Sequence, residues 1–495
     1  MTMSPTHPAE RVFPLAQLLP ALVGIGVSAL LVFAGDQMLN DPDTYIHLAI
    51  GQWMLDHGAV PHTDVYSFTK LGEPWISTQW LAQVLYARCY AIAGWAGPVL
   101  LAAASIGLTF ALLMRFLLQR LALTHAIIFA TVGLALMASH LLVRPHVLAM
   151  PVMMAWVGTL VAAMDRRVGP SFYALPLITL WANMHGGYVL GVLLVVPMGL
   201  DAVLNVARPQ RAALALRWAA FFVAALAASC VTPYGWDSLL AARRILGLGE
   251  ALGVIGEWRP ANFGNVGPLE LTVLGAVALV LWRGFTLPPM RVVLVLGFVF
   301  MALSHIRNAE VMALLAPLVL AKPLGQQIGR SHGTGFTDVP QQRSVVFAGI
   351  AVSMIAATLA FAPIRHYAPS AYAAPAAAVT ELKKLNLSRV FNDYDFGGYL
   401  ISRGVPTFID GRVELYGEKF MVDHNNASGL MEPDNLFRLL KDYDIEATLL
   451  RTQSAATKLL DRVDGWEKVY SDDIATIHLR KPGAVHSIAP AVKAN

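Results

Sequence analysis

Long apolar stretches recur along the first 364 residues and are separated by short polar segments. A helix that crosses a bilayer needs about 20 consecutive, mostly apolar residues. The stretches therefore predict about eleven transmembrane helices in a polytopic α-helical membrane protein. They cover residues 15–35, 97–118, 122–143, 146–164, 171–184, 186–206, 212–232, 267–282, 290–304, 306–321 and 344–363.

Two pairs of these helices are too short to cross the bilayer twice. Residues 171–206 and 290–321 provide 36 and 32 residues, whereas two spans need roughly 40. Each apex is polar, at residues 183–187 and 305–310. Polar groups at membrane depth are tolerated where they are buried in protein or line a wet cavity. The pattern predicts a cavity that opens on the outer side.

The remaining residues, 365–495, have the pattern of a soluble α/β domain. They hold 33 of the charged residues in 131 positions, against 35 in the preceding 364. We predict helices at 376–385 and 433–443, and strands at 389–392, 407–410, 447–451 and 474–479. The predicted domains are a transmembrane module over 1–364, with long outside loops at 36–96 and 233–266, and a periplasmic domain over 365–495.

Composition narrows the class of protein. Hydrophobic residues make up 56% of the chain and charged residues 14%, with a mean hydropathy of +0.56, whereas soluble proteins carry about 25% charged residues. This excludes a soluble multidomain enzyme and a disordered chain. Cys89 and Cys230 both lie in apolar stretches, so a disulfide framework is not expected.

The distribution of basic residues predicts the topology. With the N-terminus inside, thirteen Lys and Arg residues of the membrane part lie on the cytoplasmic side and seven on the other, as the positive-inside rule requires. We therefore expect an inner (plasma) membrane protein with a cytoplasmic N-terminus and a periplasmic C-terminal domain. The net charge of +4 comes from basic residues scattered over these loops. Because they form no single patch, no nucleic-acid partner is expected.

Asp41, Asp43 and His47 form the first group that is suited to chemistry. They directly follow the first predicted span, and Asp43 and His47 share a face if the chain becomes helical after Pro42. Such a group can accept a proton from a hydroxyl or hold a divalent cation. The structural alternative is a loop in which one Asp caps the helix, since Asp-Pro-Asp is common in turns and caps.

Further polar residues are predicted to gather at the outer helix ends. Arginines there are suited to binding a phosphate through forked hydrogen bonds, and acids and histidines beside them suit a hydroxyl acceptor. Each residue also has a structural alternative, such as a snorkelling Arg or a His that bonds a carbonyl. The phosphate candidates are Arg144, Arg259 and Arg307, and the cavity candidates are His146, Asn183, His185, Tyr234, Glu257, His305 and Glu310.

The tail contains the most distinctive motif, an Asp-Tyr-Asp-Phe-Gly-Gly-Tyr run at 393–399 followed by Asp-Gly-Arg at 410–412. The run predicts polar groups at the ends of a strand and a helix; the alternative is a glycine turn packed by aromatic rings. Its candidate acceptor residues are Asp393, Tyr394, Asp395, Tyr399, Asp410 and Arg412.

The layout resembles the C-fold (GT-C) membrane glycosyltransferases, such as the oligosaccharyltransferase catalytic subunit and protein mannosyltransferases. Asp41–Tyr45 is similar to their Asp-centred motif in the first outside loop. Asn392–Tyr399 with Ile409 and Asp410 resembles the oligosaccharyltransferase Trp-Trp-Asp-Tyr-Gly block, although Phe391 and Asn392 replace its tryptophans. No second acidic pair follows in the next outside loop.

The resemblance implies inverting transfer of a sugar from a polyprenyl-phosphate or polyprenyl-diphosphate donor to an extracytoplasmic glycan, lipid or protein. It implies that Asp41 or Asp43 is the base and that His47 supports it. The resemblance implies no certain cofactor. If the enzyme uses a divalent cation such as Mg²⁺ or Mn²⁺, the candidate ligands are Asp41, Asp43, His47 and His185. Membrane lipids are further partners. The alternatives are a transporter or flippase for a lipid-linked glycan and a non-catalytic assembly component.

Overall fold

A computed structural model of the chain describes residues 13–247, 249, 253, 255–328, 338, 339 and 341–481. Most of these residues are helical. The helices are Leu15–Phe33, Gly35–Met38, Asp43–His57, Trp80–Ala93, Ala96–Leu118, Leu123–Met137, Pro145–Arg166, Leu175–Met184, Tyr188–Leu193, Val195–Leu204, Arg208–Ser229, Asp237–Leu246, Pro268–Arg283, Pro289–Ser304, Ala309–Ile328, Gln341–Ile364, Ala376–Lys384, Gly397–Ser402, Val413–Gly429, Pro433–Asp442 and Ala455–Leu460.

Each predicted span coincides with a helix, but the count of eleven crossings is not confirmed. Six helices in the described part are long and apolar enough to cross a membrane: Ala96–Leu118, Leu123–His140, Pro145–Arg166, Arg208–Ser229, Ile306–Ile328 and Val346–Ile364. Four others are apolar but shorter: Leu18–Phe33, Phe172–Met184, Tyr188–Leu204 and Pro289–Ser304. Residues 323–328 belong to the helix Ala309–Ile328, and residues 329–337 and 340 lie outside the described residues.

The chain forms two compact units. The first, here called the helical unit, comprises Met1–Met38, Cys89–Trp236 and Glu257–Tyr367. The second, the α/β unit, comprises Leu39–Arg88, Asp237–Gly256 and Ala368–Asn495. The sequence assigned residues 39–88 to a module ending at 364, whereas here they pack with the C-terminal residues. The membrane and periplasmic placement of the predicted domains stays a prediction.

Small residues allow two helices of the helical unit to pack closely. A Cβ atom added to Gly24 would lie 2.6 Å from the carbonyl oxygen of Gly107. One turn later, the Ser28 hydroxyl donates to the carbonyl oxygen of Ala103 at 3.0 Å. Gly and Ser at such spacing let membrane helices approach and hydrogen bond. The helices Leu15–Phe33 and Ala96–Leu118 are therefore joined by backbone-level contact.

Both short hairpins break where the sequence predicted. Backbone at His185 is extended, with φ −165° and ψ 139°, between Leu175–Met184 and Tyr188–Leu193. His305 is also extended, with φ −145° and ψ 118°, after Pro289–Ser304. These breaks direct polar side chains away from the regular helix surface.

The α/β unit contains a four-stranded sheet with spatial order Val390–Asn392, Ala447–Arg451, Ala475–Arg480 and Trp466–Ser471. The first pair is parallel and the other two are antiparallel. Elsewhere, Phe13–Pro14 pairs with Asp338–Val339. Three of the four predicted tail strands are confirmed, and the edge strand Trp466–Ser471 was missed because its mostly exposed residues lack an alternating pattern.

The predicted strand at 407–410 is wrong. The Asn392 side chain accepts a hydrogen bond from the Phe408 amide at 2.8 Å and donates to the Ile409 carbonyl at 2.9 Å. One side-chain amide thus satisfies the backbone groups that a ladder would otherwise pair. The segment instead makes an isolated bridge between Thr407 and Ser67.

Candidate active site

Proline and hairpin geometry place the polar side chains of the helical unit at helix ends. Arg144 has extended backbone, with φ −129° and ψ 154°, as expected for a residue before proline. Pro145 then starts the helix Pro145–Arg166, which puts His146 in its first turn. Glu310 lies in the first turn of Ala309–Ile328. These residues therefore lie at the ends of helices that the sequence predicts to face outward.

One carboxylate holds two arginines. Arg144 donates from Nη1 to Glu257 Oε2 at 2.7 Å, and Arg307 donates from Nη1 to Oε1 at 3.1 Å. Burial opposes ionisation of Glu257, but both guanidinium groups outweigh it and lower the pKa of this carboxyl. The Arg307 guanidinium also lies 4.4 Å from the Trp258 ring centroid. The cluster carries one excess positive charge.

Both guanidinium groups keep some exposure to solvent. The exposed fraction is 17% for the Arg144 side chain and 24% for the Arg307 side chain. A planar guanidinium offers further N–H donors beyond those used by one carboxylate oxygen. Both guanidinium groups are therefore partly accessible from solvent beside Glu257. Arg307 and Arg144 are brought together as the sequence predicted.

Two histidines and an acid lie in the same unit. His146 Nε2 is 3.4 Å from Glu310 Oε2 and donates to the His140 carbonyl at 3.2 Å. The rings of His146 and His185 are 6.0 Å apart, and His185 Nδ1 accepts from the Gly187 amide at 3.1 Å. Glu310 Oε2 is buried and makes no hydrogen bond within the described residues. This acid–imidazole group is suited to holding a proton.

The other predicted cavity residues of this unit support the framework. Asn183 donates to the carbonyls of Thr179 and Val231 at 2.8 and 2.9 Å. His305 donates from Nδ1 to the Trp258 carbonyl at 2.7 Å. The Arg259 carbonyl accepts from the Ile306 amide at 3.0 Å, and Tyr234 is buried. Asn183 and His305 therefore match the structural alternative, in which a polar side chain donates to a neighbouring carbonyl.

The Asp41 group lies in the α/β unit. Asp41 is buried, and its Oδ1 accepts from the Asp43 amide at 2.7 Å, so it caps the helix Asp43–His57 as the structural alternative expected. A Cβ atom at Gly411 would lie 2.1 Å from Asp43 Oδ1. The Asp43 carboxylate therefore packs directly against Gly411, and a larger residue at 411 would require it to move. Of the two acids, Asp43 is the better candidate for chemistry.

His47 is held in one orientation. Gln83 donates from Nε2 to His47 Nδ1 at 3.1 Å, and Gln83 Oε1 accepts from the Ser77 hydroxyl at 2.7 Å. The contact with Gln83 fixes the orientation of the His47 ring. His47 lies one helical turn after Asp43, as predicted.

The tail motif forms a second polar group of the α/β unit. Asp393 Oδ1 accepts from the Asp395 amide at 3.1 Å, and Arg451 donates to Asp395 Oδ2 at 2.7 Å. Burial raises the pKa of Asp393 to about 6, with Arg451 opposing the rise. Tyr399 is buried and meets the Tyr45 ring edge-on at 5.1 Å. Tyr394 lies in the short turn Tyr394–Phe396.

Asp410 and Arg412 form a buried ion cluster that the sequence did not predict. Arg412 donates from Nε and Nη2 to the two oxygens of Asp410 at 2.8 and 2.7 Å, and from Nη1 to Asp64 at 2.6 Å. Asp410 also accepts from the Tyr416 hydroxyl at 2.6 Å. Both carboxylates have no exposed side-chain surface. These contacts tie residues 39–88 to the tail and give both residues a structural role.

A third polar cluster, also missed, lies at the opposite helix ends of the helical unit. Asp165 accepts from Arg120 at 3.1 Å and from Arg291 at 2.7 Å. Asp201 lies nearby, with an oxygen 3.8 Å from Arg291 Nε. The sequence showed these residues only as charges flanking the ends of spans. Their spacing along the chain gave no signal that they meet.

The described residues contain no group of three or more His, Cys, Asp or Glu side chains placed to hold a metal ion. Asp41, Asp43 and His47 belong to the α/β unit and His185 to the helical unit. The divalent-cation hypothesis stays a prediction.

Comparison with known proteins identifies the architecture. No family model matches the sequence, and no curated protein matches it. The oligosaccharyltransferase of Archaeoglobus fulgidus, tethered to an acceptor peptide containing the NVT sequon, matches with a TM-score of 0.54 at 12% identity, over 94% of this chain and 74% of its own. The chain has the oligosaccharyltransferase fold.

A second structure shows the same fold. Archaeal AglB from Archaeoglobus fulgidus, bound to an inhibitory peptide and a dolichol-phosphate, matches with a TM-score of 0.52 at 11% identity, over 95% of this chain and 74% of its own. ArnT from Cupriavidus metallidurans bound to undecaprenyl phosphate matches at 14% identity with a TM-score of 0.49, over 93% of this chain and 98% of its own. The resemblance to the C-fold enzymes is confirmed for the fold.

Proposed function

We propose that the protein is an integral membrane glycosyltransferase that transfers a sugar from a polyprenyl-phosphate or polyprenyl-diphosphate donor to an extracytoplasmic acceptor. The observation that carries the proposal is the pairing of Arg144 and Arg307 on Glu257 at helix ends. Two partly exposed guanidinium groups with one excess charge are suited to a phosphate at the lipid boundary. The fold supports this class of enzyme by analogy.

The reaction assigned to this site is a single displacement with inversion. Asp43 accepts the proton of the acceptor hydroxyl as the oxygen attacks the anomeric carbon, and the bond to the phosphate oxygen breaks. Arg144 and Arg307 stabilise the charge that develops on the leaving phosphate. His47 and His185 are proposed supports for the base, Asp393 and Tyr394 are proposed acceptor contacts, and Arg259 is a further proposed phosphate contact.

The proposed placement follows the predicted topology, with eleven spans, a cytoplasmic N-terminus and a periplasmic C-terminal domain in the inner membrane. Alkaline phosphatase, which is active only outside the cytoplasm, tests this when fused after residue 481. An active fusion is expected, and an inactive fusion that is stably produced would reverse the orientation.

Binding of the donor lipid is the first test. The purified full chain is titrated with undecaprenyl phosphate, and binding is followed by native mass spectrometry. Arg144→Gln and Arg307→Gln should each weaken binding about 10- to 100-fold, since each removes a charge-assisted hydrogen bond. The matched control is Arg115→Gln, an exposed Arg at the predicted inner end of Ala96–Leu118. Equal binding by all four proteins would refute the phosphate assignment.

Catalysis is tested by Asp41→Asn and Asp43→Asn in a transfer assay on membrane lipid extracts. We expect Asp43→Asn to abolish transfer and Asp41→Asn to lower it through the helix cap. Wild-type rates in both variants would remove the catalytic assignment. A flippase would change the sidedness of the sugar-lipid without consuming it, so loss of sugar-lipid in detergent separates the two functions.

A further inference from the structure

A polar cavity of about 490 Å³ lies within the helical unit. It is formed at the ends of Pro145–Arg166, Val195–Leu204, Pro289–Ser304 and Ala309–Ile328, the ends that the topology predicts to face the cytoplasm. The charged side chains that line it are Asp165, Arg167, Asp201, Arg291 and Lys322. This cavity is distinct from the Arg144, Glu257 and Arg307 cluster.

Asp165 is fully engaged by its neighbours. Arg120 and Arg291 each donate to one of its carboxylate oxygens, at 3.1 and 2.7 Å. Lys322 donates to its main-chain carbonyl. Arg291 also donates from Nη1 to the Val319 carbonyl at 2.9 Å. Asp165 therefore organises the cavity wall and is not available to a ligand.

Two buried atoms of the cavity lack hydrogen-bond partners within the described part of the chain. They are Asp201 Oδ1 and Arg291 Nε, and the two residues are only 3% and 5% exposed. The ion contact between these residues joins Arg291 Nε to the other oxygen, Asp201 Oδ2, at 3.8 Å, which is too long for a hydrogen bond. A buried charge without its partners is costly. Both atoms are therefore expected to meet a bound group.

The charges specify what that group is. With Asp165 paired to Arg120 and Arg291, the cavity offers Arg167 and Lys322 as cationic donors, Arg291 Nε as one further N–H donor and Asp201 as an acceptor. Arg167 is exposed, and Lys322 uses one of its three donors on Asp165. A phosphate ester that carries a neighbouring ammonium or hydroxyl donor complements both signs. The membrane surface presents this chemistry as phospholipid headgroups.

We propose that this cavity binds a phospholipid headgroup, with the phosphodiester at Arg167 and Lys322 and the headgroup ammonium or hydroxyl donating to Asp201. Phosphatidylethanolamine has such N–H donors. Phosphatidylcholine has the same phosphodiester, but its quaternary ammonium has no N–H. The two lipids differ in the one interaction assigned to Asp201.

The experiment titrates the purified full chain in detergent with short-chain phosphatidylethanolamine, phosphatidylcholine and soluble phosphoethanolamine, and follows thermal unfolding. We expect phosphatidylethanolamine to bind about ten-fold more tightly than phosphatidylcholine, as one charge-assisted hydrogen bond provides. Phosphoethanolamine should stabilise weakly. Equal stabilisation by phosphoethanolamine would overturn the lipid assignment, and no stabilisation by either lipid would overturn the site.

Variants locate the effect. Asp201→Asn should bind the two lipids with about equal affinity. Arg167→Gln should bind each lipid about ten-fold more weakly. Arg167 is exposed, so this variant folds even if Asp201→Asn does not. Arg208→Gln, an exposed Arg outside the cavity, is the control and should leave both affinities unchanged. Unchanged lipid binding by Arg167→Gln would refute the proposal.

Discussion

The buried ion cluster of Asp64, Asp410 and Arg412 allows a quantitative prediction. Replacing Arg412 by Met removes three donors from two carboxylates that have no exposed side-chain surface. Breaking a buried ion pair by removing one partner costs about 3–5 kcal/mol, because an uncompensated charge stays buried. We expect Arg412→Met to lower the free energy of unfolding of the α/β unit by this amount.

Thermal unfolding of the purified full chain measures the effect. Each kcal/mol shifts Tm by about 2–4 °C for a unit of 150–250 residues, so the expected fall is about 6 to 20 °C. The matched control is Arg403→Met. Arg403 is exposed, and its guanidinium lies 5.0 Å from the centroid of the Tyr399 ring, so its replacement should cost less than about 0.5 kcal/mol.

A double variant separates lost charge compensation from lost packing. Adding Asp410→Asn to Arg412→Met removes one uncompensated carboxylate and should recover part of the lost stability. The reasoning about buried charge is refuted if Arg412→Met and Arg403→Met have the same Tm. It is also refuted if the double variant has a lower Tm than Arg412→Met.

Three further predictions concern other parts of the chain. Glu257→Gln should strengthen undecaprenyl phosphate binding about ten-fold in native mass spectrometry, because it removes a competing anion; weaker binding would contradict this. Asp393 has a pKa raised from 3.8 to about 6, so its contribution of about 3 kcal/mol is full below pH 3.8 and lost as pH rises through 6. Relative to wild type, Asp393→Asn should therefore gain stability between pH 4 and 7 in thermal melts, and parallel profiles would contradict the shift. Gly107→Val should lower the yield of folded protein on size-exclusion chromatography, because its Cβ would lie 2.4 Å from the Gly24 carbonyl oxygen. Gly26→Val, where a Cβ meets nothing within 4 Å, is its control, and equal yields would refute the packing argument.

Local patterns in the sequence predicted the elements. Apolar stretches located a helix at each predicted span, and the two polar apices marked the breaks at His185 and His305. These features depend on neighbouring residues, so periodicity and length contain the information. The edge strand Trp466–Ser471 has no such pattern and was missed. The segment 407–410 has a strand pattern, but the Asn392 side chain takes its hydrogen bonds.

The candidate site was only partly predictable. Arg144 and Arg307 were named because they lie at predicted outer helix ends, and Glu257 because it lies in the second long outside loop. Their pairing joins residues 113 and 50 positions apart, and no local pattern specifies such contacts. Asp64 was not named at all, since its partner Arg412 lies 348 positions away. The ion pair of Asp165 and Arg291 could not be predicted either, because ion pairs between helices depend on tertiary packing.

The amide of Asn392 also limits the width of the tail sheet. Val390–Asn392 is the outermost strand on its side, and an uncovered edge can recruit a strand from another molecule. Asn392 anchors the 407–410 segment beside this edge through both its oxygen and its nitrogen. A carboxylate at this position would keep the acceptor and lose the donor to Ile409. The Asn392 amide thus helps to keep the 407–410 segment beside this edge, together with the hydrogen bond that the Thr69 hydroxyl donates to the Phe408 carbonyl at 2.7 Å.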